Sequence, residues 1–393
     1  MLTAVEPSGD AVGAALVRAL RAQLGPGVRF VGVGGPQMAE EGVESPFDPA
    51  SLAIVGAFNA IAAYPRVRRL VRETAELAQR EKPDIAVLID AWGFSIRVAH
   101  ALRRIDPSLP LVKYVAPQVW ATRPGRARTL ARAVDRLLTI HAFDAPYFEA
   151  EGLQTTFVGN PVLAEPEAPE PPAAFRARLG LTGEQPILLV LPGSRQGEVR
   201  RLMKPFGDAV GRLCDRYPDL VVIVAAADQV AADVERETSL WRSPPIVVAG
   251  PALRAAAMGA ATAALACSGT VTTELAQAGC PMVVAYRMGP FTNFAAQRLL
   301  RTRWITLFNV AAGRFIAPER IQGRCTGAVL AADIARLLDD PERRNRQARE
   351  QSAALEIMRG GIGDPAAAAA AAIIDVLEAR SAPADQPRAS RAV

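Results

Sequence analysis

Residues 262–279 read TAALACSGTVTTELAQAG. An unbroken apolar run stops at Ser268, Gly269 and Thr270, and a helix-like stretch follows until Gly279. A short apolar run bounded by turn residues and followed by a helix is one βα unit of a parallel sheet. Ligands in such sheets bind just beyond the carboxyl ends of the strands, where this turn lies. Gly269 lets a backbone approach closely, and the free amides of a first helical turn favour a phosphate. Ser268 or Thr270 adds a hydroxyl donor, and Glu274, one turn in, is placed to accept from ribose hydroxyls. The same letters also describe an ordinary N-cap with an acidic residue complementing the helix dipole.

The unit repeats along the chain. The first half carries the runs VRFVGVG (28–34), IAVLID (85–90), LVKYVA (111–116) and RLLTIH (136–141). The second carries ILLVLP (187–192), LVVIVAA (220–226), IVVAG (246–250), TAALA (262–266) and MVVAY (282–286). Helix-like stretches between them predict an α/β chain of two Rossmann-like domains, with parallel sheets facing a central cleft. The proline-rich 164–175, AEPEAPEPPAAF, divides a domain over 1–163 from one over 176–380. Prolines neither continue a helix nor donate to a ladder, so this segment reads as the linker. The alanine-rich stretch before Ser381 reads as a terminal helix of the second domain, and 381–393 as a disordered tail. MLTAV is short for a first strand, so either that strand is truncated or the start lies upstream.

Bulk composition narrows the class. Half of the 393 residues are hydrophobic, which suits globular cores and excludes a disordered or collagen-like chain. Four cysteines without a C-x-x-C pair, and two distant histidines, His100 and His141, argue against a zinc site or disulfide framework. No signal peptide is legible, which points to the cytoplasm, and the uncharged stretches 49–65 and 255–273 are broken by Gly, Pro, Ser and Thr. From Ala60 to Arg136 there are fifteen Lys or Arg against seven Asp or Glu, although the whole chain carries only +5. That local excess marks either a solvated basic face or an anionic partner.

Two further strand ends carry chemistry. LPGSRQGEV (191–199) presents Ser194 and Arg195 from a glycine turn, where a guanidinium can neutralise a diphosphate unless it is only solvated. LIDAWGF (88–94) ends a strand on Asp90, either a general base or a cap of the next helix. EPSGD (6–10) opens a helix running to about Leu24, with Ser8 and Asp10 as its cap or as ligand contacts. GVGGP (32–36) lacks the spacing of a dinucleotide fingerprint, and no G-x-x-x-x-G-K-[ST] occurs, so neither hydride nor triphosphatase chemistry is indicated. No Asp-x-Asp pair is present to hold a metal on a diphosphate.

In order, EPSGD, GVGGPQM (32–38), LIDAWGF, YVAPQVWATRPGR (114–126), FVGNP (157–161), LPGSRQGEV, SGTVTTELAQAGCPMVVAYRMGP (268–290) and FNVAAGRFIAPERIQ (308–322) resemble the lipid-A-disaccharide synthase family over about residues 1–360. The resemblance implies a GT-B, inverting, metal-independent glycosyltransferase without cofactor. It would join UDP-2,3-diacylglucosamine to 2,3-diacylglucosamine 1-phosphate, giving the β(1→6) lipid A disaccharide 1-phosphate and UDP. It implies Asp90 as the base, with Ser194, Arg195, Ser268, Gly269, Thr270 and Glu274 on the donor. Asn309, Arg314, Glu319 and Gln322 would complete the donor side. Other GT-B enzymes, a UDP-N-acetylglucosamine 2-epimerase or the peptidoglycan N-acetylglucosaminyltransferase, are the alternative.

The resemblance also implies a peripheral protein on the cytoplasmic face of the inner membrane, with no nucleic-acid partner. Residues 51–73 supply an apolar stretch containing Ile54, Val55, Phe58 and Ile61, followed by Arg66, Arg68, Arg69 and Arg72. Apolar and basic residues combined in this way suit interfacial binding, and a core helix with a solvated end fits equally. Four positions depart from the family pattern: Val5 for glycine, Trp92 for proline, Thr122 for tryptophan and Asn160 for histidine. They bear on acceptor specificity more than on fold.

Overall fold

The computed structural model describes residues 1–49, 60–163, 170–181, 185–289 and 302–381, without the side chains of 60–63 and 381. The chain forms two compact units, one of Met1–Pro161 together with the chain from Ile362 on, the other of Val162–Gly361. Each is built on one six-stranded, wholly parallel sheet.

In the first unit the strands are β1 (Leu2–Thr3), β2 (Gly32–Val33), β3 (Ala86–Ile89), β4 (Leu111–Tyr114), β5 (Arg136–Thr139) and β6 (Gln154–Phe157), in the order β2-β1-β3-β4-β5-β6. One face packs Leu88, Leu111 and Leu137 with Leu70, Val98 and Leu102 of the helices Ala60–Glu81 and Trp92–Ile105. The other packs Leu2, Val87 and Val112 with the helices Pro7–Leu24 and Pro365–Ser381. With both faces covered, the strands read as continuous apolar runs rather than alternating ones.

The second unit holds β7 (Ile187–Leu191), β8 (Val221–Ala226), β9 (Ile246–Ala249), β10 (Ala263–Cys267), β11 (Met282–Tyr286) and β12 (Glu319–Ile321), in the order β12-β11-β10-β7-β8-β9. Counted from β7 this is 3-2-1-4-5-6, the doubly wound order of dinucleotide-binding sheets.

All nine apolar runs named from the sequence contain a strand. The two-residue β1 lies in MLTAV, expected as a short first strand, and the strands without an expectation are β6 and β12. Both of these lie at a sheet edge, and QTTF and ERI offer no apolar run to see. The expected strand at 28–34 shortens to Gly32–Val33, and a Cβ on Gly32 would run into the Leu2 carbonyl.

Two expectations about domain limits are corrected. The terminal helix, assigned from sequence to the second domain, belongs to the first unit. Its small residues Ala369, Ala370 and Ala372 are buried against the helix Pro7–Leu24, and Gln23 Nε2 donates to the Ala367 carbonyl at 3.1 Å. An alanine face permits such close approach, and chain order says nothing of which sheet it covers. The linker 164–175 also ends in a helix, Pro172–Arg178, with Pro172 in the first turn and Phe175 fully buried. Proline is tolerated there because a first-turn amide has no helical acceptor. Residues 164–169 and the tail from 382 lie outside the described residues.

Candidate active site

The turns after β7 and β10 are neighbours, since those strands pair through Leu191 and Ala266 at their carboxyl ends. They lie at the point where strand order reverses, which is where open sheets bind ligands. After β10, Ser268 N–H donates to the Ala285 carbonyl at 3.3 Å, and Ser268 Oγ donates to the Ile305 carbonyl at 3.4 Å. Thr270 takes the N-cap position of the helix Val271–Gln277, but its hydroxyl makes no capping bond. The amides of Thr272, Thr273 and Glu274 are satisfied within the turn, whereas those of Gly269, Thr270 and Val271 have no acceptor among the described residues. A helix of seven residues brings a small dipole, so these three amides and the free hydroxyl carry the anion preference.

After β7, Gly193 has φ 110, and a Cβ there would meet Glu198 Oε2 at 2.6 Å, so glycine is required. Glu198 is nearly buried and accepts from the amides of Ser194 and Arg195 at 3.2 and 3.3 Å. The Arg195 side chain is 81% exposed and, among the described residues, is held by one 3.5 Å contact to Glu198. The backbone of the turn is therefore rigid while its arginine is free to swing onto a ligand.

In the first unit the reversal falls between β1 and β3, and the residues just beyond those strands meet. Ser8 Oγ lies 3.5 Å from Asp90 Oδ2. Asp90 and Ala91 both have left-handed backbones, φ 47 and 41, ahead of the helix Trp92–Ile105. Ala91 holds the N-cap position and no side chain caps the helix, so the capping alternative for Asp90 is removed. Asp90 is half-buried, with Oδ2 on the side of Ser8.

The chain matches the family described as lipid-A-disaccharide synthetase over residues 1–373. It is 41% identical over 379 residues to a lipid-A-disaccharide synthase of Rhodospirillum centenum, covering 96% of this chain and 94% of that one. The corresponding protein of Paramagnetospirillum magneticum is 40% identical over 96% of this chain and 97% of its own. The chain belongs to the lipid-A-disaccharide synthetase family. It is thus a glycosyltransferase of lipid A biosynthesis, and its fold is GT-B. Solved structures share that fold at low identity. A UDP-GlcNAc 2-epimerase from Neisseria meningitidis bound to UDP-GlcNAc matches with a TM-score of 0.61 at 12% identity, over 96% of this chain and 98% of that one. The spinosyn rhamnosyltransferase SpnG, complexed with spinosyn aglycone, matches with a TM-score of 0.55 at 13% identity, covering 96% of this chain and 99% of its own.

Within this family member, several residues expected to contact ligands are instead spent on the fold. Asp10 is buried inside the helix Pro7–Leu24, and its carboxylate accepts from the amides of Gly35, Gln37 and Met38 at 2.8 to 3.1 Å. With Pro7 in the first turn and Glu6 at the cap, neither Ser8 nor Asp10 is a cap. Asn309 is fully buried, donating to the Ala317 carbonyl and to Glu319 while accepting from the amides of Ile316 and Ala317. Glu319 accepts from Ile305 and Thr306 N–H in turn. These two residues tie the loop before β12 together and offer no open donor side. Arg314 pairs with Glu350 at 3.1 Å, Gln322 Oε1 accepts from Met288 N–H at 3.2 Å, and Glu274 lies 3.6 Å from Arg254.

Two groups were not singled out from the sequence. Lys113, at the carboxyl end of β4, is 2% exposed and donates to three carbonyls at the strand ends. Beside β5, Trp120 Nε1 donates to Asp144 Oδ1 at 2.9 Å while His141 stacks on Phe143 with ring centroids 5.0 Å apart. Burial pushes Asp144 up to about 7, with the Trp120 bond opposing, and pulls His141 down to about 4. The tryptophan inside YVAPQVW and the sequence HAFD were the available signals, but neither has spacing that announces a site.

Arg66, Arg68, Arg69 and Arg72 are exposed along the helix Ala60–Glu81. With Tyr64, Arg97 and Arg104, three of them border a groove of ≈ 890 Å³. Ile54, Val55 and Phe58 lie outside the described residues, as does the side chain of Ile61. Among the described residues no helix is long and apolar enough to cross a membrane. Of the four departures, Val5 and Asn160 are buried, Thr122 is half-buried, and the Trp92 ring lies 5.1 Å under Arg126.

Proposed function

We propose that this chain transfers 2,3-diacylglucosamine from its UDP derivative to 2,3-diacylglucosamine 1-phosphate, releasing UDP and the β(1→6)-linked disaccharide 1-phosphate. Inversion needs one in-line displacement, in which the acceptor 6-hydroxyl attacks the anomeric carbon as the bond to UDP breaks. Asp90 takes the hydroxyl proton, a role worth about 10² to 10⁴ in rate. Arg195 and the amides of Gly269, Thr270 and Val271 take up charge on the leaving diphosphate. Ser194 and Ser268 shape those turns, and Glu274 holds ribose with Arg254 beside it. Asn309 and Glu319 act on the donor side only by holding their loop.

The observation that carries this reading is the pair of adjacent turns after β10 and β7, the first with three amides unpaired among the described residues and the second with an exposed arginine held by a single 3.5 Å contact. An epimerase or peptidoglycan enzyme draws no comparable support, because the relatives near 40% identity are lipid-A-disaccharide synthases. We further assign the exposed arginines of the helix Ala60–Glu81 to peripheral contact with the anionic cytoplasmic face of the inner membrane. Purified protein incubated with both diacyl substrates, with and without EDTA, should yield disaccharide at equal rates. Absence of product, or its loss with chelator, overturns the proposal.

A further inference from the structure

Lysine 113 stands where a parallel sheet normally keeps an apolar residue. It pairs with Leu88 across β3 and β4, and its stem lies on the face otherwise filled by Leu88, Leu111 and Leu137. A buried ammonium survives only if its protons find acceptors. Nζ donates to the Leu88, Asp90 and Tyr114 carbonyls at 3.2, 2.6 and 3.0 Å. All three acceptors belong to the place where β3 and β4 end, and the shortest bond is to Asp90 itself.

That carbonyl is held from two sides, since Ser95 Oγ also donates to it at 2.6 Å. Asp90 N–H donates in turn to the Tyr114 carbonyl at 2.9 Å, which shares the lysine. These bonds enclose two consecutive non-glycine residues in left-handed conformation, which persist only where their surroundings over-determine them. The left-handed pair turns the Asp90 carboxylate out of the strand direction and toward Ser8. The geometry points to Lys113 as the positioning residue of Asp90. From beneath the sheet edge it locks the left-handed turn that aims the carboxylate, and it sets a positive charge under that carboxylate.

The assignment rests on Asp90 being the base, and it explains why a lysine is kept in a core of leucines. The charged groups coupled to Lys113 are Asp90 at the end of β3 and Glu6 after β1. Burial lowers the lysine to about 7, and both carboxylates oppose that fall.

The test uses the full-length protein with both diacyl substrates. In Lys113→Met, kcat should fall about 10- to 100-fold with the donor KM held, as expected when a reacting group is displaced by about an ångström. Added to Asp90→Asn, the Lys113→Met change should lower the residual turnover no further. Ser95→Ala, which frees the same carbonyl with little risk to folding, should lower kcat several-fold with KM held. If Lys113→Met does not fold, Ser95→Ala alone and combined with Asp90→Asn decides. An inactive Asp90→Asn beside unaltered kcat in the Lys113 and Ser95 variants overturns the positioning role and leaves the base assignment standing. So does a parallel loss of kcat and donor affinity. Near-normal turnover in Asp90→Asn overturns the base assignment itself.

Discussion

Replacing Asn309 with alanine separates a scaffold from a ligand contact. Its amide makes four hydrogen bonds inside the second unit: Nδ2 donates at 3.0 Å to the Ala317 carbonyl and at 2.8 Å to Glu319, and Oδ1 accepts at 2.8 and 3.2 Å from Ile316 and Ala317 N–H. Truncation orphans two amides and one carbonyl and strips one donor from a nearly buried carboxylate. At about 0.5 to 1.5 kcal/mol net for each bond, the expected loss is about 4 kcal/mol. For a unit of this size each kcal/mol lowers Tm by about 2 to 4 °C, so a fall of about 8 to 16 °C follows. Scanning calorimetry reads the melting transition, and titration calorimetry well below it should give a UDP affinity within about threefold of the unaltered protein. Loss of UDP binding with an unchanged Tm would refute the scaffold reading and restore Asn309 as a direct donor contact.

Arg195→Ala should leave Tm within about 1 °C, because the side chain is mostly solvated. Turnover should fall about 10² to 10³-fold if the guanidinium meets the leaving diphosphate, and kcat from initial rates checks this. The buried pair Asp144 and His141 should show opposed linkage. Asp144 titrates near 7 when folded and near 4 when unfolded, so the native state holds the extra proton and stability falls as pH rises between those values. His141 titrates near 4 when folded and near 6.5 when unfolded, so its stabilising contribution is lost as pH falls through that window. The two slopes cancel between about pH 4 and 6.5. Asp144→Asn should unmask a stability that rises with pH there, which denaturant titrations across pH would reveal. Arg68→Glu with Arg69→Glu should weaken flotation with anionic vesicles at least tenfold, with binding sensitive to salt. Unchanged flotation would make this face merely solvated.

How far the sequence could be read follows from which forces act locally. Apolar runs closed by turn residues made the strands of both sheets visible, because a strand buried on both faces must be apolar throughout. The edge strands β6 and β12 offer no apolar run to see: QTTF is polar and partly exposed, and ERI begins on Glu319, a buried carboxylate met by the amides of Ile305 and Thr306. The turns at Ser268–Thr270 and Gly193–Arg195 were legible, since a glycine beside a hydroxyl or arginine at a strand end is a local arrangement. The cap readings that competed at Thr270 and at Asp90 are removed by the local geometry: the Thr270 hydroxyl makes no capping bond, and Ala91 rather than Asp90 stands at the helix cap. Asn309 and Glu319 look like ligand contacts in the sequence, and Asp10 like a cap or a contact, because a polar residue in a motif shows its chemistry and not its direction.

By itself, then, the sequence determined the alternation of strands and helices, the two-sheet α/β class, the family and the turns that carry its chemistry. These depend on local periodicity and on the order of short motifs. Tertiary structure decided which sheet the terminal helix covers and which carboxylates face inward. It also decided that Lys113 closes on Asp90 from the neighbouring strand, 23 residues away in the chain. Strand pairing sets that last contact, and no spacing in the sequence encodes it.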